Sequence, residues 1–151
     1  MKTLTELKKL TIALNRRDDE LAKRNSQLED FYNSCPDMIF IFNDLIIEDC
    51  NPRALRELGY SKSEIKGRSI SDIIHPEDRE KIERVMHARS PQELGYFVTS
   101  NRLRTKEGEY VTVLWTSWSR HDESETYTFG RLWPSPCQIC PNSKKQRGDL
   151  Q

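Results

Sequence analysis

Two cysteines near the C-terminus have the spacing of a metal-binding or redox motif. Cys137 and Cys140 enclose two residues, which supplies half of a zinc or iron–sulfur site, or a dithiol redox pair. A closed zinc site needs four ligands, and the sequence has no second pair of this kind. Two copies of the chain could pool four thiolates and form a metal site. Two unliganded cysteines in a loose tail are the other interpretation.

Residues suited to catalysis are sparse in the rest of the chain. His75, His87 and His121 are the three histidines, and none stands in a Ser-His-Asp or Cys-His arrangement with a supporting context. The chain has only 6 glycines, and no glycine-rich loop of the kind that cradles phosphates. We therefore predict no enzymatic activity.

Aromatic and branched apolar residues provide the material for a small-molecule pocket. Aromatic residues at strand spacing also build ordinary cores, so a filled core without a ligand is the alternative. Both faces of the segment 111–118 carry apolar residues, and its inward face stays open at this level. The candidate pocket residues are Phe40, Phe42, Ile70, Ile74, Val98, Val113 and Trp115.

Composition narrows the classes of partner. Lys+Arg and Asp+Glu both number 24, so the formal net charge is zero and exerts no global attraction toward nucleic acid or an anionic membrane. No apolar run reaches membrane-spanning length, and the N-terminus lacks the apolar segment of a signal peptide. We expect a cytoplasmic protein with neither a nucleic-acid nor a membrane partner.

A heptad repeat at the N-terminus predicts a helix over about residues 3–31. Leucines recur every seven residues, as at the d positions of a coiled coil, whereas only the first of the matching a positions is apolar. One interpretation is a parallel dimer with a weak seam in which Asn25 helps to set the register. The other is a single exposed helix lying on its own domain. The predicted dimer interface consists of Leu7, Leu14, Leu21, Asn25 and Leu28.

The middle of the chain predicts short helices between strands. Asn51-Pro52 starts one helix and Gly59 ends it, while Ser61 and Glu64 have the spacing of a capping box. A longer helix is predicted from Pro76 to about Arg89. The predicted strands are 38–42, 45–49, 94–103, 110–118 and 125–133.

Three segments together resemble a PAS domain. These are SCPDMIFIFN at the first strand, NPRALRELGYSKSEIKGRSISDIIHPEDR in the helical middle, and RTKEGEYVTVLWTSWSRHDE at the hairpin. They occur in the family's order over roughly residues 28–133. The resemblance implies an α+β fold, with a five-stranded antiparallel sheet, short helices on one face and a long preceding helix. The predicted domains are a leader helix (1–31), a PAS domain (32–133) and a disordered tail (134–151).

The resemblance also bears on cofactors. Haem-binding relatives use a histidine near the middle of the long helix, where this chain has Ile82 or Glu83, so haem is not expected. Flavin-binding relatives place a reactive cysteine after a Gly-Arg-Asn segment. Here Gly67-Arg68-Ser69 is followed by Ile70, which excludes that photochemistry.

In function, the resemblance implies a non-enzymatic sensing or interaction module. In many relatives the last strand leads into a kinase or cyclase, whereas this chain continues with Trp133-Pro134-Ser135-Pro136, and no output domain is expected. A signal would pass by contact to a signalling or transcription-regulatory protein, with the leader helix as the dimer contact. The alternatives are a metal- or redox-responsive regulator that uses Cys137 and Cys140, and a structural adaptor without a ligand.

Overall fold

The computed structural model of the chain describes residues 3–87, 96–119 and 125–133. It divides into two compact units, Met1–Cys35 and Pro36–Gln151. The first unit contains one long helix, and the second contains a sheet with shorter helices. Each unit is described by itself.

The second unit is built on a five-stranded antiparallel sheet, which confirms the predicted fold class. The spatial order of the strands is β2-β1-β5-β4-β3, so the first and last strands in sequence pair at the centre. β5 pairs with both β1 and β4, so it joins the hairpin β1–β2 to the hairpin β3–β4. The sheet is therefore complete only when this last strand is in place. The strands are β1 (Met38–Asn43), β2 (Ile46–Cys50), β3 (Phe97–Arg104), β4 (Tyr110–Ser119) and β5 (Glu125–Leu132).

Short helices connect β2 to β3, as the sequence predicted. They are α2 (Pro52–Leu58), α3 (Lys62–Ile65), a 3₁₀ turn (Ile70–Asp72) and α4 (Pro76–His87). Gly59 ends α2 in the left-handed conformation with φ of 78°, where a side chain would be strained. The predicted capping box of Ser61 and Glu64 is present at the start of α3.

Asn51 ties the first short helix to the sheet. Its Oδ1 accepts hydrogen bonds from Ala54 N at 3.1 Å and from Ile39 N at 3.0 Å, and its Nδ2 donates to the carbonyl oxygen of Asp37. The first of these bonds is the helix cap that the Asn-Pro pair predicts. The other two join the helix start to β1, so a single buried amide sets the position of α2 against the sheet.

The sheet has one buried and one more exposed face, and the burial pattern of β4 identifies the residues on each face. Val113, Trp115 and Ser117 are buried, while Leu114 and Trp118 alternate with them on the other face and are more exposed. The inward face that the sequence left open is therefore the one with odd-numbered residues. The core between this face and the helices contains Met38, Phe40, Ile47, Ala54, Leu58, Ile65, Ile73, Ile74 and Leu103.

Ionic and backbone contacts hold α4 against β3. Arg102 donates from Nη2 to Asp78 Oδ1 at 2.7 Å and from Nε to Asp78 Oδ2 at 3.0 Å, while its Nη2 also reaches Glu77. Its backbone N–H donates to the same Asp78 carboxylate, and its carbonyl oxygen accepts from His75 N. These contacts hold the start of α4 against β3. Farther along the helix, Ile82 is buried toward the sheet.

The first unit is the helix α1 (Leu4–Ser34), which begins with a complete capping box of Thr3 and Glu6. At 31 residues it is about 46 Å long at the usual rise per residue. No residue of α1 is buried, and the heptad leucines are exposed, with Leu14 and Leu21 each at 58%.

Candidate ligand cavity

A cavity of about 60 Å³ lies between the inner face of the sheet and the helices. Its apolar wall comes from the end of β1, the turn after it, the 3₁₀ turn, α4 and the sheet. The apolar lining residues are Phe42, Leu45, Ile70, Ile74, Ile82, Val85, Phe97 and Trp115. The cavity is therefore a pocket beside the core that is partly open to solvent, with the exposed Asp44 among its lining residues.

Backbone hydrogen bonds position the helical side of this wall. Ile70 N donates to the carbonyl oxygen of Leu45 at 2.9 Å, which joins the 3₁₀ turn to the chain entering β2. Arg104 N donates to the carbonyl oxygen of Ile73 at 2.7 Å, so the segment before α4 is anchored to β3. Ile70 and Ile74 therefore point into the cavity from a backbone that is held at both ends.

The sheet side of the cavity also carries a cluster of polar side chains, which lie on three adjacent strands. They are Thr99 and Asn101 on β3, Ser117 on β4, and Thr126 and Thr128 on β5. Ser117 lies beside Thr128 in the strand register, and their hydroxyl oxygens are 3.0 Å apart in a hydrogen bond. The sheet side of the cavity consequently combines hydroxyl groups with the apolar rings of Phe97 and Trp115, whereas the helix side is apolar.

Trp115 forms the centre of the sheet-side wall. Its Nε1 donates a hydrogen bond of 2.9 Å to Asn101 Oδ1, which satisfies the single polar group of the indole. Its ring packs edge-on against Phe40, with centroids 5.6 Å apart, and Phe40 stacks in turn on Phe42. With its N–H already bonded, Trp115 presents an apolar ring to the cavity.

Charge is nearly absent from the described part of the lining. Asp44, an exposed residue in the turn after β1, is the one ionisable side chain among the described lining residues. Farther away, the hydrogen bonds from Arg102 lower the pKa of Asp78 to about 2, so this carboxylate is ionised and paired at neutral pH. That pair holds α4 in place and does not line the cavity.

The structure brings four of the seven candidate pocket residues together. Phe42, Ile70, Ile74 and Trp115 all line the cavity. Phe40 and Val113 lie on the same face of the sheet but are fully buried in the core beside it.

The structure contradicts the prediction that Val98 lines the pocket. This residue lies on the opposite face of the sheet with 65% of its surface exposed, and Phe97 and Thr99 line the cavity in its place. The apolar character of Val98 suggested an inward position. However, β3 is an edge strand whose register to β4 places the residues that pair with Ser117 and Trp115 inward.

The sequence reasoning did not identify the hydroxyl-bearing wall. A weak signal was present, because Thr126 and Thr128 are two residues apart and so share one face of a strand. Their partner Ser117 comes from another strand, and that pairing is not visible in the local sequence. Ile82 and Val85, three residues apart on α4, also line the cavity.

The remaining candidate residues are not among those that line the described part of the cavity. Cys137 and Cys140 lie outside the described residues, so the predicted metal site stays a prediction. Leu7, Leu14, Leu21, Asn25 and Leu28 all lie on α1. Of the other cysteines, Cys50 is a buried free thiol whose pKa burial raises to about 11. Such a thiol is protonated and inert at neutral pH.

No helix in the described part of the chain has the length and apolar character needed to cross a membrane.

Comparison with known proteins agrees with this architecture. Residues 47–128 match the family described as PAS fold. The PAS domain of an HTR-like protein from Haloarcula marismortui superimposes with a TM-score of 0.68 at 26% identity, covering 78% of this chain and 98% of that one. A search of curated protein sequences found no significant match.

Two further solved structures share the fold at lower identity. A domain of a sensory box sensor histidine kinase/response regulator from Geobacter sulfurreducens has a TM-score of 0.61 at 18% identity, covering 74% of this chain and 96% of that one. The PAS domain of a LuxR-family transcriptional regulator from Burkholderia thailandensis, solved in complex with ethanol, has a TM-score of 0.54 at 20% identity, with coverages of 67% and 93%.

The fold and the cavity define an α+β domain in which an antiparallel sheet and short helices border a small pocket lined by apolar and hydroxyl-bearing side chains. The family match extends over more than half of the chain, and the chain belongs to the PAS fold family. PAS domains are generally signal-sensing and typically non-catalytic.

Proposed function

We propose that this protein is a non-enzymatic PAS sensor that dimerises through α1 and passes a ligand- or partner-dependent change to a signalling or transcription-regulatory protein. The observation that carries the sensing part is the cavity of about 60 Å³ beside the core, lined by both apolar and hydroxyl side chains. Protein interiors contain few voids larger than a water molecule, so a space of this size is a candidate ligand site.

The leucine stripe of α1 supports dimerisation. Four leucines at heptad spacing are exposed on a helix in which no side chain is buried. An apolar stripe of this length is stabilised when it is covered, and a second copy of the same helix offers a matching stripe. Because Thr11, Asp18 and Asn25 occupy a positions, the seam is weak enough for its register to respond to a change in the domain that follows.

The test is the oligomeric state of the full chain in sedimentation experiments. The double variant Leu14→Asp, Leu21→Asp puts two charges into the seam and is expected to convert a dimer into a monomer. The matched control is Ile12→Asp, Ala13→Asp, which adds the same two charges at b and c positions, away from the seam. The control is expected to remain a dimer.

A stable monomer in the unmodified chain would refute dimerisation through α1. The same conclusion follows if the seam variant and the control have equal sedimentation behaviour. A structural adaptor without a ligand is the competing function. It predicts that no small molecule stabilises the domain, whereas a sensor predicts a rise in melting temperature on ligand binding.

A further inference from the structure

One hydroxyl on the polar wall of the cavity has no hydrogen-bond partner in the part of the chain that the structure describes. The Oγ1 atom of Thr99 is buried, yet no partner for it exists among the described residues. Buried hydroxyls in folded proteins nearly always have a partner, and an exception calls for a cause. Because Thr99 lines the cavity, a group bound there can supply the missing bond.

A second hydrogen-bond donor lies close by. Ser117 and Thr128 share one hydrogen bond, and that bond uses only one of their two hydroxyl protons. Both residues are buried and both line the cavity. The wall therefore offers donors that suit a hydroxyl, carbonyl or amide oxygen.

The charge of the lining argues against an anionic ligand. No lysine, arginine or histidine is among the described lining residues, and the single acid, Asp44, is exposed. A carboxylate or phosphate in this space would be desolvated without a positive partner. An uncharged polar group avoids that cost and can use the hydroxyl wall.

The volume limits the size of the ligand. One water-sized position takes up about 10 to 15 Å³, so a cavity of about 60 Å³ has room for roughly four to six non-hydrogen atoms. The apolar wall, with Trp115 and Phe42, suits a short hydrocarbon body.

We propose that the cavity binds a compact uncharged molecule with one hydroxyl, carbonyl or amide group and a short apolar body, and that Thr99 is the residue that selects for the polar group. This inference rests on the proposed sensing function, because it names the class of ligand for the same cavity.

The test compares butan-1-ol, butyramide and butyrate as probes of the full chain. Binding is followed by NMR titration of the Trp115 indole N–H signal, which is assigned by its loss in Trp115→Phe. Butyramide and butyrate have nearly the same shape and differ in charge. We expect butan-1-ol and butyramide to bind, and butyrate to bind more than about a hundredfold more weakly, because its carboxylate would be buried without a partner.

Two valine variants test the role of Thr99. Thr99→Val keeps the shape of the side chain but removes the hydroxyl, and is expected to weaken butyramide binding by about three- to tenfold. The matched control, Thr116→Val, makes the same change on the other face of the sheet and is expected to leave binding unchanged. A variant that failed to fold would lose the dispersed NMR spectrum, and in that case Thr99→Ser, which keeps the hydroxyl, must bind butyramide as the unmodified chain does.

Three outcomes would overturn the inference. Butyrate binding as tightly as butyramide would refute an uncharged ligand, and octan-1-ol binding more tightly than butan-1-ol would refute the compact size. Equal affinity of Thr99→Val and the unmodified chain would refute the role of Thr99. In all three cases a ligand still binds, so the sensing function stands. If no probe binds at millimolar concentration, the inference fails, while the sedimentation test of dimerisation through α1 remains independent of it.

Discussion

The benzene half of the Trp115 indole lies against Gly130 on the neighbouring strand, in the space that a side chain at position 130 would occupy. A Cβ atom built on Gly130 would be 2.6 Å from Cε3 and 2.8 Å from Cη2 of that ring. The two residues are direct neighbours in the β4–β5 register. The absence of a side chain at one residue thus sets the position of the ring that forms the centre of the cavity wall.

Gly130→Ala is expected to destabilise the domain by about 1 to 3 kcal/mol, because the added methyl group forces the Trp115 ring out of its position. Alanine is otherwise preferred to glycine inside a strand. A loss of stability on Gly130→Ala would therefore be due to the contact with the Trp115 ring. Urea unfolding measures it. In a Trp115→Phe background the smaller ring leaves room, and the cost should fall. Equal stability of Gly130→Ala and the unmodified chain would contradict this account.

Arg102→Met is expected to lower the free energy of unfolding measured in urea, because Asp78 and Glu77 lose their charged partner. The contacts that the backbone at position 102 makes with His75 and Asp78 remain in the variant. Arg84→Met is the matched control. Its pair with Glu80 is 3.7 Å long and highly exposed, so its loss should change stability by less than about 0.5 kcal/mol. Similar effects of the two variants would show that Arg102 contributes no more than a surface pair.

The Asp78 carboxyl should make stability depend on pH in the acid range. Its pKa is about 2 in the folded protein, against 3.8 ordinarily, so the unfolded chain binds the proton more readily. The stabilisation is present above about pH 4 and is lost as the pH falls toward 2. We expect the difference in unfolding free energy between the unmodified chain and Asp78→Asn to shrink over this interval. If the difference stays constant from pH 5 to pH 2, the Asp78 carboxyl is not the source of the pH dependence.

Asn51→Ala is expected to cost about 2 to 3 kcal/mol, because it removes the cap of α2 and leaves the buried N–H of Ile39 and the part-buried carbonyl of Asp37 without their partner. Ser61→Ala removes the exposed cap of α3 and provides the comparison, with an expected loss of about 1 kcal/mol or less. Thermal unfolding of both variants measures the contrast. Equal losses would mean that the contacts of Asn51 with β1 add nothing to its capping role.

Local chemistry made several elements predictable. The Asn51-Pro52 start, the Gly59 end and the Ser61–Glu64 capping box each depend on residues within one or two turns, and all three are present as expected. A glycine within a strand marks either a bulge or a close approach, and the unbroken register at Gly130 together with the Trp115 ring shows the close approach.

The sequence by itself therefore determined where the helices and strands form, the start and end of α2 and, through the order of its motifs, the PAS fold. The leader helix extends to Ser34, beyond its predicted end near residue 31. The tertiary structure alone decided which face of each strand points inward. Val98 and Leu114 are as apolar as residues that line the cavity, yet they lie on the other face. The reason is that side chains alternate along a strand, so one step of register exchanges the two faces. That register is set by pairing with strands that are distant in sequence, and the same pairing brings Ser117 and Thr128 together on the cavity wall.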